Sequence, residues 1–133
     1  MSVQVEGRGA ELLQGKNFGI VSTLRDDGSV QAVPVWVDIQ DGQPVLNTAE
    51  GRAWPKNLER DPRVTVTVAN AENPYEYLEV RGHVGERTQE GADAHIDALA
   101  KKYMDVDEYP LRKPGEQRVI IRVEPDRVHF RGR

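Results

Sequence analysis

Residues 63–85, RVTVTVANAENPYEYLEVRGHVG, decide the fold. Val64, Val66 and Val68 alternate with Thr65 and Thr67, the period-two pattern of a strand with one buried face. Asn70 to Pro74 supplies turn chemistry, and the chain returns from Tyr75 to about Gly85 as a long strand. On that strand Leu78, Val80 and Val84 face inward, while Tyr75, Tyr77, Glu79, Arg81 and His83 face the other way. Gly82 predicts a bulge or a close approach of another backbone. The stretch is an antiparallel hairpin. Upstream, Asp61-Pro62 ends a short helix whose start falls near Ala53 or Trp54, because Pro55 is tolerated only in a first turn. Further upstream, Phe18, Ile20, Val21 and Leu24 form a strand folded back by Asp26-Asp27-Gly28. The return strand carries Val33, Val35, Val37 and Ile39 on one face and Ala32, Pro34, Trp36 and Asp38 on the other. Asp41-Gly42 turns it into Val45-Leu46-Asn47-Thr48, completing a predicted three-stranded meander. Downstream, Ala92, Ile96, Leu99, Ala100, Tyr103 and Met104 keep helical spacing within 89–104. An irregular segment over 105–115 leads to two final strands, Arg118 to Val123 and Arg127 to Phe130. Six or seven hairpin-connected strands with one long inserted helix predict a mainly β protein, an antiparallel sheet closed as a small barrel. A β-sandwich is the alternative.

At 133 residues the chain predicts a single domain over 1–133, with 1–9 a mobile N-terminal segment before a short helix from Ala10 to Gly15. Eighteen basic against 22 acidic residues leave a net charge of −4, which disfavours nucleic acid and anionic lipid as partners. With no cysteine there is no disulfide framework, thiol nucleophile or cysteine-bound metal. No apolar run reaches the roughly 20 residues of a membrane span, and Met1 to Gly9 lacks a signal peptide's apolar core. The expectation is a soluble cytoplasmic protein.

Thr48-Ala49-Glu50-Gly51-Arg52-Ala53-Trp54-Pro55-Lys56-Asn57-Leu58 is the stretch richest in chemistry. A helix opening near Trp54 leaves early N–H groups without intrahelical partners, beside Arg52 and with Lys56 one turn on. Unpaired donors, a guanidinium and an ammonium suit a phosphate. The same spacing also suits solvated charges paired with Glu50, Glu59 or Asp61. His83, His95 and His129 share no metal-ligand spacing, and His95 reads as a partly exposed helix residue. No triad, metal motif or placed carboxylate pair is present, so no catalytic side chain and no metal site is assigned. What remains is a pocket in which a bound cofactor carries the reaction. Trp36, Tyr75 and Tyr77, opposite the aliphatic rows, call for a second packing partner: a subunit, a ligand or both.

The segments Thr23 to Gly28, Pro34-Val35-Trp36-Val37, Asn47 to Arg52 and Asn57 to Val64 together resemble the pyridoxamine-phosphate-oxidase-like split barrels that use a deazaflavin, coenzyme F420. Asn73-Pro74-Tyr75, Glu79-Val80-Arg81-Gly82 and Lys101-Lys102-Tyr103 are similar to the same subgroup. The likeness runs from Leu12 to Phe130. It implies a split β-barrel homodimer with cofactor sites at the subunit interface and a small-molecule substrate. By the same resemblance Arg52, Lys56 and Asn57 hold the phosphate-bearing tail, Pro34, Val35, Trp36 and Thr48 border the ring system, and Tyr77 comes from the partner subunit. Trp54 stands where similar proteins often carry a basic residue, which leaves FMN as the alternative cofactor. The implied reaction is hydride transfer from the reduced deazaflavin to an unsaturated or quinone-like molecule; a non-catalytic cofactor-binding protein is the alternative outside enzymology.

Overall fold

The computed structural model describes residues 3–132. Along the chain come α1 (Gly7–Gln14), β1 (Gly19–Leu24), β2 (Val30–Val35), β3 (Val37–Gln40), β4 (Gln43–Ala49), α2 (Ala53–Arg60), β5 (Arg63–Asn70), β6 (Asn73–Thr88), α3 (Ala92–Met104) and β7 (Arg118–Arg131). All seven strands join one antiparallel sheet in the order β2-β1-β5-β6-β7-β4-β3. The fold is mainly β, a curled split barrel.

The barrel interior is the alternation made physical. Val64, Val66 and Val68 of β5 are buried, as are Leu78 and Val80 opposite them on β6, in register Val66 to Val80 and Val68 to Leu78. Val21, Val37, Leu46, Ile121 and Val123 complete the strand contribution, with Leu12 and Leu13 from α1 and Trp54 and Leu58 from α2. Gly82 sits at the register shift of β6; a Cβ there would lie 2.1 Å from the Glu124 carbonyl oxygen, so any side chain is excluded.

Three expectations change. The return strand is two strands: β2 pairs with β1, the chain turns at Trp36, and β3 pairs with β4. Those are opposite ends of the sheet, so the meander is replaced by a corner that joins its two outermost strands. The alternation of Val33 to Ile39 runs in phase through the corner, and a local pattern does not record which neighbour a strand pairs with. The final two strands are one, β7, which pairs along β4 and β6 and carries Pro125 at the β6 irregularity, where Gly82 faces it. The opening segment packs from Val5 onwards: Val5 is buried and its N–H donates to the Gly42 carbonyl at 2.8 Å, and the first helix begins at Gly7.

Helix α3 forms a second layer. Its Ile96, Leu99 and Tyr103 cluster with Trp36 and Tyr109. The Trp36 and Tyr103 rings stack at 5.3 Å, so Trp36 finds a packing partner within its own chain. The Tyr103 hydroxyl donates to the Asn17 carbonyl at 2.7 Å and accepts from the Val37 N–H at 3.1 Å. Lys102 Nζ donates to the Leu13 and Val37 carbonyls at 2.8 and 2.6 Å. These bonds pin α3 to α1 and to the corner. Among the described residues no helix is long and apolar enough to cross a membrane.

Candidate functional site

The corner, the end of β4, the start of α2 and the crossing segment 105–115 enclose a cleft of about 200 Å³. Pro34, Val35 and Trp36 form one wall. Asn47 and Thr48 reach it from β4, Arg52 and Trp54 from the opening of α2, Ile96 from α3 and Arg118 from the start of β7. Tyr109 and Leu111 of the crossing segment stand across from them. That segment is strapped to α3 by Asp97, whose Oδ1 accepts from the Tyr109 N–H at 2.9 Å and from Arg112 Nη2 at 2.7 Å. Tyr109 then meets Trp36 edge to face at 5.9 Å.

Charge in the cleft is concentrated in one chain of groups. Arg118 is buried, its Nε donating to Asn47 Oδ1 at 2.9 Å and its Nη1 to Glu116 Oε1 at 3.1 Å. Glu116 Oε2 lies 3.8 Å from Arg52 Nη2, so one carboxylate serves two guanidiniums. Asn47 Nδ2 donates to the Ala92 carbonyl at 2.9 Å and to His95 Nδ1 at 3.0 Å, which puts the neutral imidazole's proton on Nε2. Burial pushes the His95 pKa down, so the ring stays neutral where an exposed histidine begins to charge. His95 is half-buried in this network, a partly exposed helix residue as expected. Thr48 borders the cleft but is buried, and its Oγ1 has no hydrogen-bond partner among the described residues.

Of the residues expected to bind a cofactor, Pro34, Val35, Trp36, Thr48 and Arg52 line this one cleft. Lys56 is exposed on α2, one turn beyond Arg52 and outside the lining. Asn57 is buried and turned toward the β1–β2 hairpin, with Nδ2 donating to Thr23 Oγ1 at 3.0 Å and Gln31 Oε1 at 2.9 Å. Its amide hydrogens are thus committed within the chain, and it braces α2 rather than facing the cleft. Tyr77 lies on β6 beside His129, ring centroids 5.9 Å apart, away from the cleft of its own chain. Trp54 is a core residue that also borders the cleft, so the place of the missing charge is filled by packing. Sequence reasoning passed over Asn47, Tyr109 and Arg118. Arg118 was findable: it shares a strand face with Ile120 and Arg122, and that face must be covered because the amphipathic α3 needs a sheet to cover.

The N-cap of α2 is Arg52 and makes no side-chain cap bond; Pro55 has no N–H and the Lys56 N–H donates to the Arg52 carbonyl, so the donors left uncapped are those of Ala53 and Trp54. The fold and the cleft together define the class: a split barrel with an aromatic-walled, cation-flanked cleft at its corner. Residues 6–132 match the sequence profile of pyridoxamine 5'-phosphate oxidase, and the chain belongs to that family, whose members bind flavin-type cofactors. Among solved structures it is similar to an F420 reductase, 28% identical over 94% of this chain and 98% of that one, TM-score 0.81. It also superposes on a conserved hypothetical protein from Mycobacterium tuberculosis, 21% identical, covering 98% of this chain and 86% of that one, TM-score 0.75. General Stress Protein 26 from Bacillus anthracis follows at 19% identity, covering 93% of this chain and 91% of that one, TM-score 0.69. The last two likenesses carry the fold alone.

Proposed function

We propose that this single-domain barrel is a cytoplasmic oxidoreductase that uses coenzyme F420 and reduces an unsaturated or quinone-like small molecule. The observation that carries the reading is the cleft itself: aromatic walls, an unpartnered Thr48 hydroxyl and a guanidinium at the uncapped opening of α2. That donor set fits a planar ring joined to a phosphorylated tail. The likeness to an F420 reductase supports deazaflavin over other ring systems. When bound, the deazaflavin supplies a hydride.

The chain's own part is to bind and to exclude water. Pro34, Val35 and Trp36 offer a flat wall, stiffened by the Trp36–Tyr103 stack, against which a ring lies in one orientation. Thr48 Oγ1 holds a polar edge of the ring, and Arg52, with Lys56 one turn on, holds the tail's phosphate. No general acid is required of the protein for the hydride step, and water supplies the proton.

A second copy completes the site. The cleft of one chain, about 200 Å³, is smaller than the ~300 Å³ at which ligand pockets begin. Phe18 and Leu111 on its rim are 61% and 62% exposed, and Ile20 and Val30 extend the apolar surface along β1 and β2. A homodimer covers these residues and brings Tyr77 of the second copy toward the site. FMN is the second reading, favoured by Trp54 in place of a basic residue.

Fluorescence titration of purified protein with F420 and with FMN decides between them. Saturable quenching by F420, with sedimentation showing a dimer, is the expected result. Binding of FMN alone overturns the first reading, and tight F420 binding without turnover over a panel of enones and quinones makes the protein a carrier.

A further inference from the structure

The cleft holds a cation that phosphate binding leaves idle. Arg118 has a side chain only 3% exposed, yet it borders the cleft. Its Nε and Nη1 are engaged by Asn47 and Glu116, and Nη2 has no protein hydrogen-bond partner among the described residues. The Tyr109 ring lies over the guanidinium at 5.2 Å and shields it from solvent on that face. Glu116 is shared with Arg52, so two positive groups oppose one negative group and the constellation carries a net positive charge. A buried guanidinium in that state is stabilised by any oxygen that brings negative charge to it.

We propose that Arg118 is the oxyanion-holding residue of the cleft, donating from Nη2 to the carbonyl oxygen of a conjugated, planar substrate. The proposal rests on the oxidoreductase reading above and deepens it by naming the substrate class. With Nε engaged by Asn47, the parallel Nε–Nη2 edge is closed to a two-oxygen anion, and a single carbonyl oxygen is enough to fill the Nη2 corner. The surrounding Ile96, Tyr109 and Leu111 are apolar or aromatic and suit a ring face. In the reaction, a hydride from the reduced deazaflavin bonds to the carbon β to the carbonyl. The double-bond pair shifts to make an enolate, whose charge rests on the oxygen facing Arg118, and water then protonates the α carbon. Two electrons and two hydrogens enter the substrate, and the oxidised deazaflavin leaves. Charge develops on the oxygen only as the hydride arrives, which is when a fixed donor in a dry site acts most strongly.

The test uses the apoprotein and 4-nitrophenol, whose phenolate mimics a ring-bound enolate and absorbs at its own wavelength. The wild type is expected to bind the phenolate in preference to the neutral phenol, so that the bound probe ionises at lower pH than the free one. Arg118→Met lowers phenolate affinity by about tenfold or more while F420 affinity stays within about twofold. Arg118→Lys keeps part of the preference. Glu116→Gln, which removes the competing carboxylate, tightens phenolate binding and carries the test should Arg118→Met fail to fold. Equal binding of phenol and phenolate by the wild type, or unchanged phenolate affinity in Arg118→Met, overturns the proposal. Loss of F420 affinity with phenolate affinity intact also overturns it, assigning Arg118 to the cofactor. If the wild type ignores F420 but shows the phenolate preference, the cofactor reading fails and the oxyanion site stands.

Discussion

The two faces of the β4–β7 half of the sheet are built from opposite materials. Inside the barrel, Leu46, Ile121 and Val123 meet Val66, Leu78 and Val80 in an aliphatic core. On the outer face, under α3, Asn47, Arg118 and His95 are buried or half-buried and hold one another through hydrogen bonds, and half-buried Lys102 donates to the Leu13 and Val37 carbonyls. Both faces exclude water, and the cleft is reached from the outer one through Asn47 and Arg118 and from the inner one through Thr48. The apolar face holds the shape by area, and the polar face holds particular groups in particular directions. Mutations should therefore separate stability from binding according to the face they strike.

The largest effect on stability is expected inside. Leu78→Ala removes a fully buried side chain and should lower unfolding free energy by about 2–5 kcal/mol in urea titration, with F420 affinity of the folded fraction unchanged. A binding loss at constant fold would break the division of labour. On the outer face, Asn47→Leu strands Arg118 Nε and the Ala92 carbonyl, at about 1–3 kcal/mol, and is expected to disturb both stability and ligand binding.

Lys102 sharpens the contrast through pH. Burial pushes its pKa down to about 8 from the ordinary 10.5, so between those values the unfolded chain binds more protons than the folded one. Stability then rises with pH across roughly 8–10, and Lys102→Met abolishes that rise. Above 10 the trend reverses: burial holds the Tyr103 hydroxyl protonated to about 12, and the unfolded chain releases that proton first. Thermal melts at stepped pH read both limbs, and a flat profile for the wild type contradicts the buried ammonium. The smallest effect on stability belongs to Arg52→Ala with Lys56→Ala. These exposed charges contribute little to folding, so the melting temperature stays put while F420 affinity falls. Unchanged affinity would remove them from the site.

The sequence carried the inner face almost completely, because alternation along Arg63–Asn70 and Asn73–Thr88 is the burial pattern itself. The start of α2 was legible from Pro55 and the irregularity in β6 from Gly82. What escaped was relational. Trp36 as a corner depends on which strands β2 and β3 pair with, and the unity of β7 depends on Gly82 standing opposite Pro125. Arg118 entered the sequence reading only as the start of a strand, and its burial depends on α3 covering that face. Asn57 had the right type and the right helix for a tail ligand, but two acceptors on a neighbouring hairpin claim its amide.

Because the outermost strands β2 and β3 are consecutive in the chain, Trp36 works as a buckle on a belt. An extra residue there would shear both ends of the sheet together, and the ring wall beside it would move with them. The crossing segment over 105–115 has no such duty, since Asp97 tethers it at Tyr109 and Arg112 and leaves its remaining length outside the sheet. In this chain, then, the two sides of the opening differ in freedom: the buckle is bound to the sheet, and the strap can be cut to measure.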